Sequence, residues 1–350
     1  MTTIGELVTA AGGLLHKRDL VEHGATDRHL TAAVRAREVR RPRRGWYSTW
    51  PQSDPRFVAV AVGGRLAGAS ALHLLGAWSW PDRPPDIVVS VPRTASRLRR
   101  RRGVRVVWDG PDVADRGGLA TVDPRDALAR AVVEAPDLES AVVLADWARS
   151  VELITEADDR AVLGRHRPDA AGLADWSDGG AQSILESAAG TRLRLAGRVV
   201  ERQVVVGPRG EAVDHVVDGT ASLETDGREH HADHFERDRR KDLLTIAAGY
   251  VPCRVSYRQV RDGWASVQEA VDQLVRLAGG PPPACVPEAR LPRLLGPRGS
   301  RPWRLGLPPR TPRTPQQPPA RRRVPAERRA SAPPARLPGM PRPRPDLAPA

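Results

Sequence analysis

Apolar side chains first recur every three to four residues along this chain, later alternate, and finally thin out among prolines. Each change of spacing marks a predicted segment. In residues 1–50 the helical spacing predicts three short helices. They are Ile4 to Ala10, His16 to His23 closed by Gly24, and a third that Thr26 caps, running to about Arg37 with Leu30, Ala33 and Val34 on its apolar side. Glu38 to Trp50 fits no helix, and its Pro/Gly-containing middle predicts two strands about a turn. Residues 55–165 read as a second, α/β segment. Helices are expected over Phe57 to Val62, Arg65 to Gly76, Asp123 to Glu134 and Leu138 to Arg149, with strands over Asp86 to Val91 and Val104 to Trp108.

Residues 175–278 form a third segment. A helix carrying Glu186 follows Gly179-Gly180, and strands are expected over Val199 to Val206, Ala212 to Val217 and Thr220 to Thr225. A charged amphipathic helix then spans Asp233 to Ala248. Next comes a strand over Val251 to Ser256, placed at a sheet edge because Pro252 cannot donate to a ladder, and a closing helix over Ser266 to Leu277. The predicted fold class is multi-domain α/β. Residues 279–350 should form a disordered basic tail, since the last 70 residues hold 21 prolines and 15 arginines and have little apolar surface to offset chain entropy.

Charge sharpens this division. The chain of 350 residues carries a net +13, but residues 1–110 hold 19 basic and 9 acidic side chains, residues 111–280 hold 21 and 30, and the last 70 hold 15 and 3. A basic head and tail around an acidic middle suit a nucleic-acid partner, because basic surfaces gain by releasing counterions from phosphates. The alternative is solvated surface arginine. Lysine occurs only at Lys17 and Lys241. Cys253 and Cys285 make neither a disulfide framework nor a zinc spacing. The chain shows no signal-peptide pattern and no apolar run near eighteen residues, so a cytoplasmic protein without membrane contact is expected.

Three short helices followed by a basic hairpin are a layout that docks on double-stranded DNA, with the third helix in the groove. Arg28, His29 and Arg35 would face the duplex, and Arg40, Arg41, Arg43 and Arg44 would meet phosphates. A small helical bundle with incidental arginines is the alternative. Arg99 to Arg102 offer further phosphate contacts, or else a solvated loop between strands.

The chemistry concentrates later. Asp214 and Glu224 fall on adjacent strands about a tight turn, with Asp226 two residues on and on the same face as Glu224. Two carboxylates about 4 Å apart repel by roughly 4 kcal/mol at an effective dielectric near 20, so a cation is the usual remedy. Asp214, Glu224 and Glu186 are therefore the candidate ligands of Mg2+ or Mn2+, with Gln203 orienting a water. His230 or His231 would stand beside the scissile phosphate as proton donor, the alternative for His230 and His234 being a transition-metal pair.

These residues carry two resemblances. Ser183-Ile-Leu-Glu186, Arg202-Gln203, Val213-Asp214, Leu223-Glu224-Thr-Asp226-Gly227 with His230, and Arg237-Asp238-Arg239-Arg240-Lys241-Asp242 make up most of the first. With Gly249-Tyr250 and Arg254 they resemble the PD-(D/E)XK endonuclease-like domains related to very-short-patch-repair endonucleases. The resemblance implies a metal-dependent nuclease fold, Asp214 and Glu224 as metal ligands, and Asp226 where the superfamily name has lysine. The head, through Gly12-Gly13-Leu-Leu-His16, His23-Gly24 and Val39 to Tyr47, is similar to the winged-helix domain of AbiEi-type antitoxins, and the similarity weakens towards residue 150. Two functions follow as expectations. One is a metal-dependent DNA endonuclease directed by a winged helix. The other is a non-catalytic antitoxin and autoregulator that binds DNA and a cognate toxin protein.

Overall fold

Thr3 starts the first helix, α1 (Ile4–Ala10). Its hydroxyl accepts from the Glu6 amide while the Glu6 carboxylate accepts from the Thr3 amide. The computed structural model describes residues 2–80, 84–226 and 235–284, with only the backbone of Phe235. Residues 285–350 of the expected tail, and His230, His231 and His234, lie outside the described residues. The tail's first residues are tied down, the Pro281 carbonyl accepting from Arg198 Nη1 at 3.0 Å and the Ala284 amide donating to the Gly197 carbonyl at 2.9 Å. After α1 come β1 (Leu14–His16), α2 (Lys17–Glu22), α3 (Asp27–Arg35) and β2 (Trp46–Ser48). The second helix was expected from His16, but His16 belongs to β1 and pairs with Trp46. The strand at 46–48 thus finds its partner before α2, and the expected hairpin survives only as a bridge between Arg40 and Ser48. Gly13 allows the crossing, because a Cβ there would lie 2.1 Å from Trp50 Nε1. Val8, Leu20, Leu30, Ala33, Val39 and Tyr47 form the core of this part.

The middle part runs α4 (Pro55–Val62), β3 (Arg65–Ala67), α5 (Gly68–His73), β4 (Ile87–Pro92), β5 (Val104–Asp109), α6 (Pro111–Ala114), α7 (Pro124–Glu134), α8 (Leu138–Ser150) and α9 (Asp159–Leu163). Its sheet has the order β3-β4-β5, with β4 and β5 parallel. The helix expected over Arg65 to Gly76 is corrected here, since Arg65–Ala67 is a strand. Gly63 (φ 114°) ends α4, and Gly68 (φ 57°) breaks the backbone again, so no helix can cross residues 63–68.

The last part holds α10 (Ile184–Leu195), β6 (Val200–Val205), β7 (Ala212–Val217), β8 (Ala221–Asp226), α11 (Phe235–Ala247), β9 (Val251–Ser256), α12 (Tyr257–Asp262) and α13 (Trp264–Leu277). The sheet order is β6-β7-β8-β9, antiparallel until β9 joins β8 in parallel, and Pro252 does sit on the sheet's end strand. One sheet face presents Val217, Ala221, Leu223 and Val255 to Leu185, Ala189 and Leu193 of α10 and to Val267, Val271 and Val275 of α13. Burying each of these valine and leucine side chains contributes roughly 1.5–3 kcal/mol. The other face carries Asp214, Glu224 and Arg254.

All described residues belong to one compact unit; each of the three expected segments has its own main apolar cluster, and a small fourth one, Leu14 with Val60 and Ala120, joins the head to the middle. α8 and α10 join the last two. Arg192 of α10 pairs with Glu139 of α8 at 2.6 Å, and the buried Asp146 of α8 accepts from Ser187 Oγ at 2.6 Å, Arg202 Nη1 at 2.8 Å and the Asp178 amide at 2.9 Å. No helix among the described residues is long and apolar enough to cross a membrane.

Candidate active site

A left-handed pair, Asp218 (φ 50°) and Gly219 (φ 67°), turns β7 back onto β8 and fixes the register His215↔Leu223. That register sets Asp214 opposite Glu224 on one face. Asp214 Oδ2 accepts from the Thr225 amide at 2.8 Å and from Thr225 Oγ1 at 3.1 Å. Glu224 is buried. Lys241 Nζ of α11 lies 3.0 Å from its Oε1, and Arg254 Nη2, its partner in the β9 register, lies 3.1 Å from its Oε2. Burial pushes the Glu224 carboxyl above the usual glutamate range. The charge of Asp214 adds to this, while Lys241 and Arg254 pull it down. Arg254 also reaches Asp226 at 3.6 Å and Asp242 at 2.8 Å, so Glu224 and Asp226 do share a face.

Glu186 enters from the first turn of α10, where Ser183 is the cap. Ser183 Oγ accepts from the Glu186 amide at 3.2 Å and donates to Oε1 at 2.9 Å. Oε2 takes the Gln182 amide at 2.9 Å and Gln203 Nε2 at 3.0 Å. Gln203, expected to orient a water, thus holds a carboxylate. It does so from a left-handed backbone (φ 50°) inside β6, a conformation that costs a non-glycine residue on the order of 1 kcal/mol and that gathers at functional sites. Burial raises the Glu186 carboxyl above the glutamate range, and the nearby charge of Asp214 raises it further.

Beneath α10 lies a second polar layer. His215 is fully buried, with Nε2 3.0 Å from the Glu186 carbonyl. Burial first, and then the charge of Arg202, lower its pKa to about 4, so the ring is neutral at physiological pH. The 2.8 Å pair between Arg202 and Asp146 carries this layer to α8. A hydrogen-bonded chain therefore runs from the middle segment to the two residues that adjoin Glu186 and Gln203.

The three acids are not assembled as one cage. Among the described residues no group of three or more His, Cys, Asp or Glu side chains is placed to hold an ion. The donor set nevertheless fits a hard divalent cation, since Mg2+ takes one or two carboxylates and completes its shell with water. Asp109, Asp126, Asp146, Asp159 and Glu224 are buried and each pair with arginine or lysine, whereas Glu186 and Asp214 pair with no basic side chain among the described residues. Lys241 and Arg254 were absent from the sequence-derived site. Both stand in the motifs that carry the nuclease-like resemblance, and Lys241 is one of only two lysines, but neither was given a site role.

The head residues divide differently from expectation. Arg28, His29 and Arg35 are exposed on α3, but His29 Nδ1 accepts from the Thr26 amide at 3.4 Å, which makes His29 the reciprocal member of the helix cap. Arg43 does not project to solvent. Its Nη1 donates to the Val62 carbonyl at 2.8 Å, and its Nη2 to the Arg97 carbonyl at 3.5 Å. Arg44 is exposed, Arg41 lies over the Tyr47 ring, and Arg40 reaches the Thr49 carbonyl at 3.5 Å. Arg37, Arg40, Arg41 and Gln52 line a surface hollow of about 410 Å³. No protein-family model and no curated protein matches the chain.

Proposed function

We propose that the chain is a metal-dependent DNA endonuclease, with its hydrolytic site on the last sheet and its DNA contact on the basic head. The observation that supports this reading is the pair of acids, Glu186 and Asp214, which have no basic partner among the described residues of a chain rich in arginine. Asp214 and Glu224 would hold Mg2+ or Mn2+, with Glu186 beside Asp214. When bound, such an ion supplies an acidified water and charge stabilisation at the phosphoryl oxygens. Glu186, with its raised proton affinity, accepts a proton from a water at that edge, and Gln203 Nε2 fixes the carboxylate for that task. Lys241 and Arg254 hold Glu224 and set positive charge where a phosphodiester would approach.

Plasmid cleavage tests this. The full chain with Mg2+ should nick or linearise DNA, while EDTA, Asp214→Asn and Glu224→Gln should each abolish the activity. Asp214→Asn keeps an acceptor for the Thr225 amide, so its loss of activity would not reflect unfolding. A second reading has its own support in the neutralisation of Glu224 by Lys241 and Arg254 and in the lack of a three-acid group among the described residues. On that reading the chain is a non-catalytic regulator that binds operator DNA and a toxin protein. Equal inactivity of wild type and variants, with duplex binding intact, would select it.

A further inference from the structure

Seven arginines fall between Asp86 and Asp109, at positions 93, 97, 99, 100, 101, 102 and 105, with no acid among them. Taken from sequence, the run fits a solvated loop equally well. Its attachment argues otherwise. The Val62 carbonyl at the end of α4 accepts from Arg43 Nη1, in the basic segment 40–44 before β2 (the expected wing), at 2.8 Å and from the Arg99 amide on the loop at 3.1 Å. A helix C-terminus is the negative end of its dipole, so it suits a guanidinium. Arg43 Nη2 also reaches the Arg97 carbonyl at 3.5 Å, and Arg97 turns the chain there with φ 57°. Gly63 makes room for this junction, since a Cβ on it would lie 2.0 Å from Arg43 Nη1.

One half-buried arginine, Arg43, therefore fastens the basic loop beside the basic wing. The side chains of Arg99, Arg100, Arg101 and Arg102 are exposed and, among the described residues, pair with no carboxylate. Arg40, Arg41 and Arg44 stand on the wing side of the same junction. We propose that Arg99–Arg102 form a second contact for duplex DNA, continuous with the wing and held in register with it by Arg43. A duplex offers one phosphate every ~3.4 Å of axis on each strand, so a surface extended in this way meets several more phosphates than the wing alone. A loop backbone fixed before binding loses little freedom on contact.

The inference rests on DNA being the partner of the head, and the test separates the two. Binding of the full chain to a duplex of about 30 base pairs, roughly 100 Å long, is followed by fluorescence anisotropy over a range of NaCl concentrations. Three variants accompany the wild type. They are Arg99→Gln/Arg100→Gln/Arg101→Gln/Arg102→Gln on the loop, Arg40→Gln/Arg41→Gln/Arg44→Gln on the wing, and Arg258→Gln/Arg276→Gln on α12 and α13 as a charge control. The loop variant should flatten the slope of log affinity against log salt by about 0.9 for each phosphate that it no longer neutralises. The effect should add to that of the wing variant and exceed that of the control. A loop variant with the wild-type slope, beside a weakened wing variant, overturns the inference and leaves the DNA reading standing. Wild type without salt-dependent binding overturns both.

Discussion

Gly190→Ala is a substitution whose sign is decided by the layer beneath α10. On an exposed helix the change is favourable, because alanine is better than glycine in a helix interior by about 1 kcal/mol. At position 190 the added methyl would lie 2.9 Å from Arg202 Nη2, 3.1 Å from Arg202 Nε and 3.0 Å from His215 Nε2. Neither neighbour can give way at little cost. Arg202 is bonded to Asp146 and Asp178, and His215 Nε2 is bonded to the Glu186 carbonyl. Overpacking of this kind costs roughly 1–3 kcal/mol, and disrupting a buried pair such as Arg202–Asp146 costs about 3–5 kcal/mol when it leaves one charge alone. With the pair disrupted the unfavourable side wins, about 3–5 kcal/mol against a gain of about 1, for an expected net loss of roughly 2–4 kcal/mol. Urea denaturation of the full chain, followed by circular dichroism, should show a lower midpoint with an unchanged slope. On the proposed nuclease reading, any cleavage activity should fall as well, because Gln203 follows Arg202 in β6. A variant as stable as the wild type, or more so, would mean that no rigid Arg202–His215 layer underlies α10.

Three further outcomes follow from the same geometry. Asp214→Ala should lower stability by about 1–3 kcal/mol relative to Asp214→Asn, because it leaves the Thr225 amide without its acceptor; thermal unfolding of the two variants checks this. Glu186 has a folded-state pKa raised above its ordinary 4.5, so its contribution to stability is full below that value and is lost as pH rises through the raised one; Glu186→Gln should therefore gain stability over the wild type at pH values near 8 and not near 4, as measured by urea midpoints. His29→Ala should cost about 0.5–1 kcal/mol of stability through the α3 cap without moving the salt slope of DNA binding, whereas Arg28→Gln should flatten that slope by about 0.9 and leave stability unchanged.

What could be read from sequence was local. Asp123-Pro124 announced α7, with Asp123 as cap and Pro124 in the first turn, and the alternation through β8 set Glu224 and Asp226 on one face. Thr26 announced α3 in the same way. The misreadings came where partners are distant. Helical spacing over Arg65 to Gly76 could not reveal that Arg65–Ala67 pairs with β4, nor that β2 finds β1 across α2 and α3. The Asp146–Arg202 pair joins residues 56 positions apart, and no periodicity carries such information. Arg43 stands in a run of like residues, which in sequence puts it among the phosphate contacts. Only the fold reveals that the end of α4 claims it.

The use of arginine ties these particulars together. Over most of the described chain arginine neutralises buried acids: Arg130 for Asp109, Arg116 and Arg165 for Asp126, Arg149 for Asp159, Arg202 for Asp146. Leaving a carboxylate buried without a counter-charge is expensive, and the remedy was plainly at hand in this composition. Glu186 departs from the pattern. It is held by three neutral donors, one of them reaching it from a strained backbone, and its charged form is disfavoured by burial and by Asp214. Local strain and an unneutralised acid at the same place lower stability twice over, and a fold keeps such a place where binding or proton transfer needs it. Supplying a cation should then reverse the cost. Mn2+ or Mg2+ added to the full chain should raise its unfolding temperature, and Asp214→Asn should lose that rise, because stabilisation by a ligand grows with its affinity for the folded state alone. An equal response of the two proteins to the ion would detach Glu186 and Asp214 from metal chemistry and leave their exposure to one another without a function.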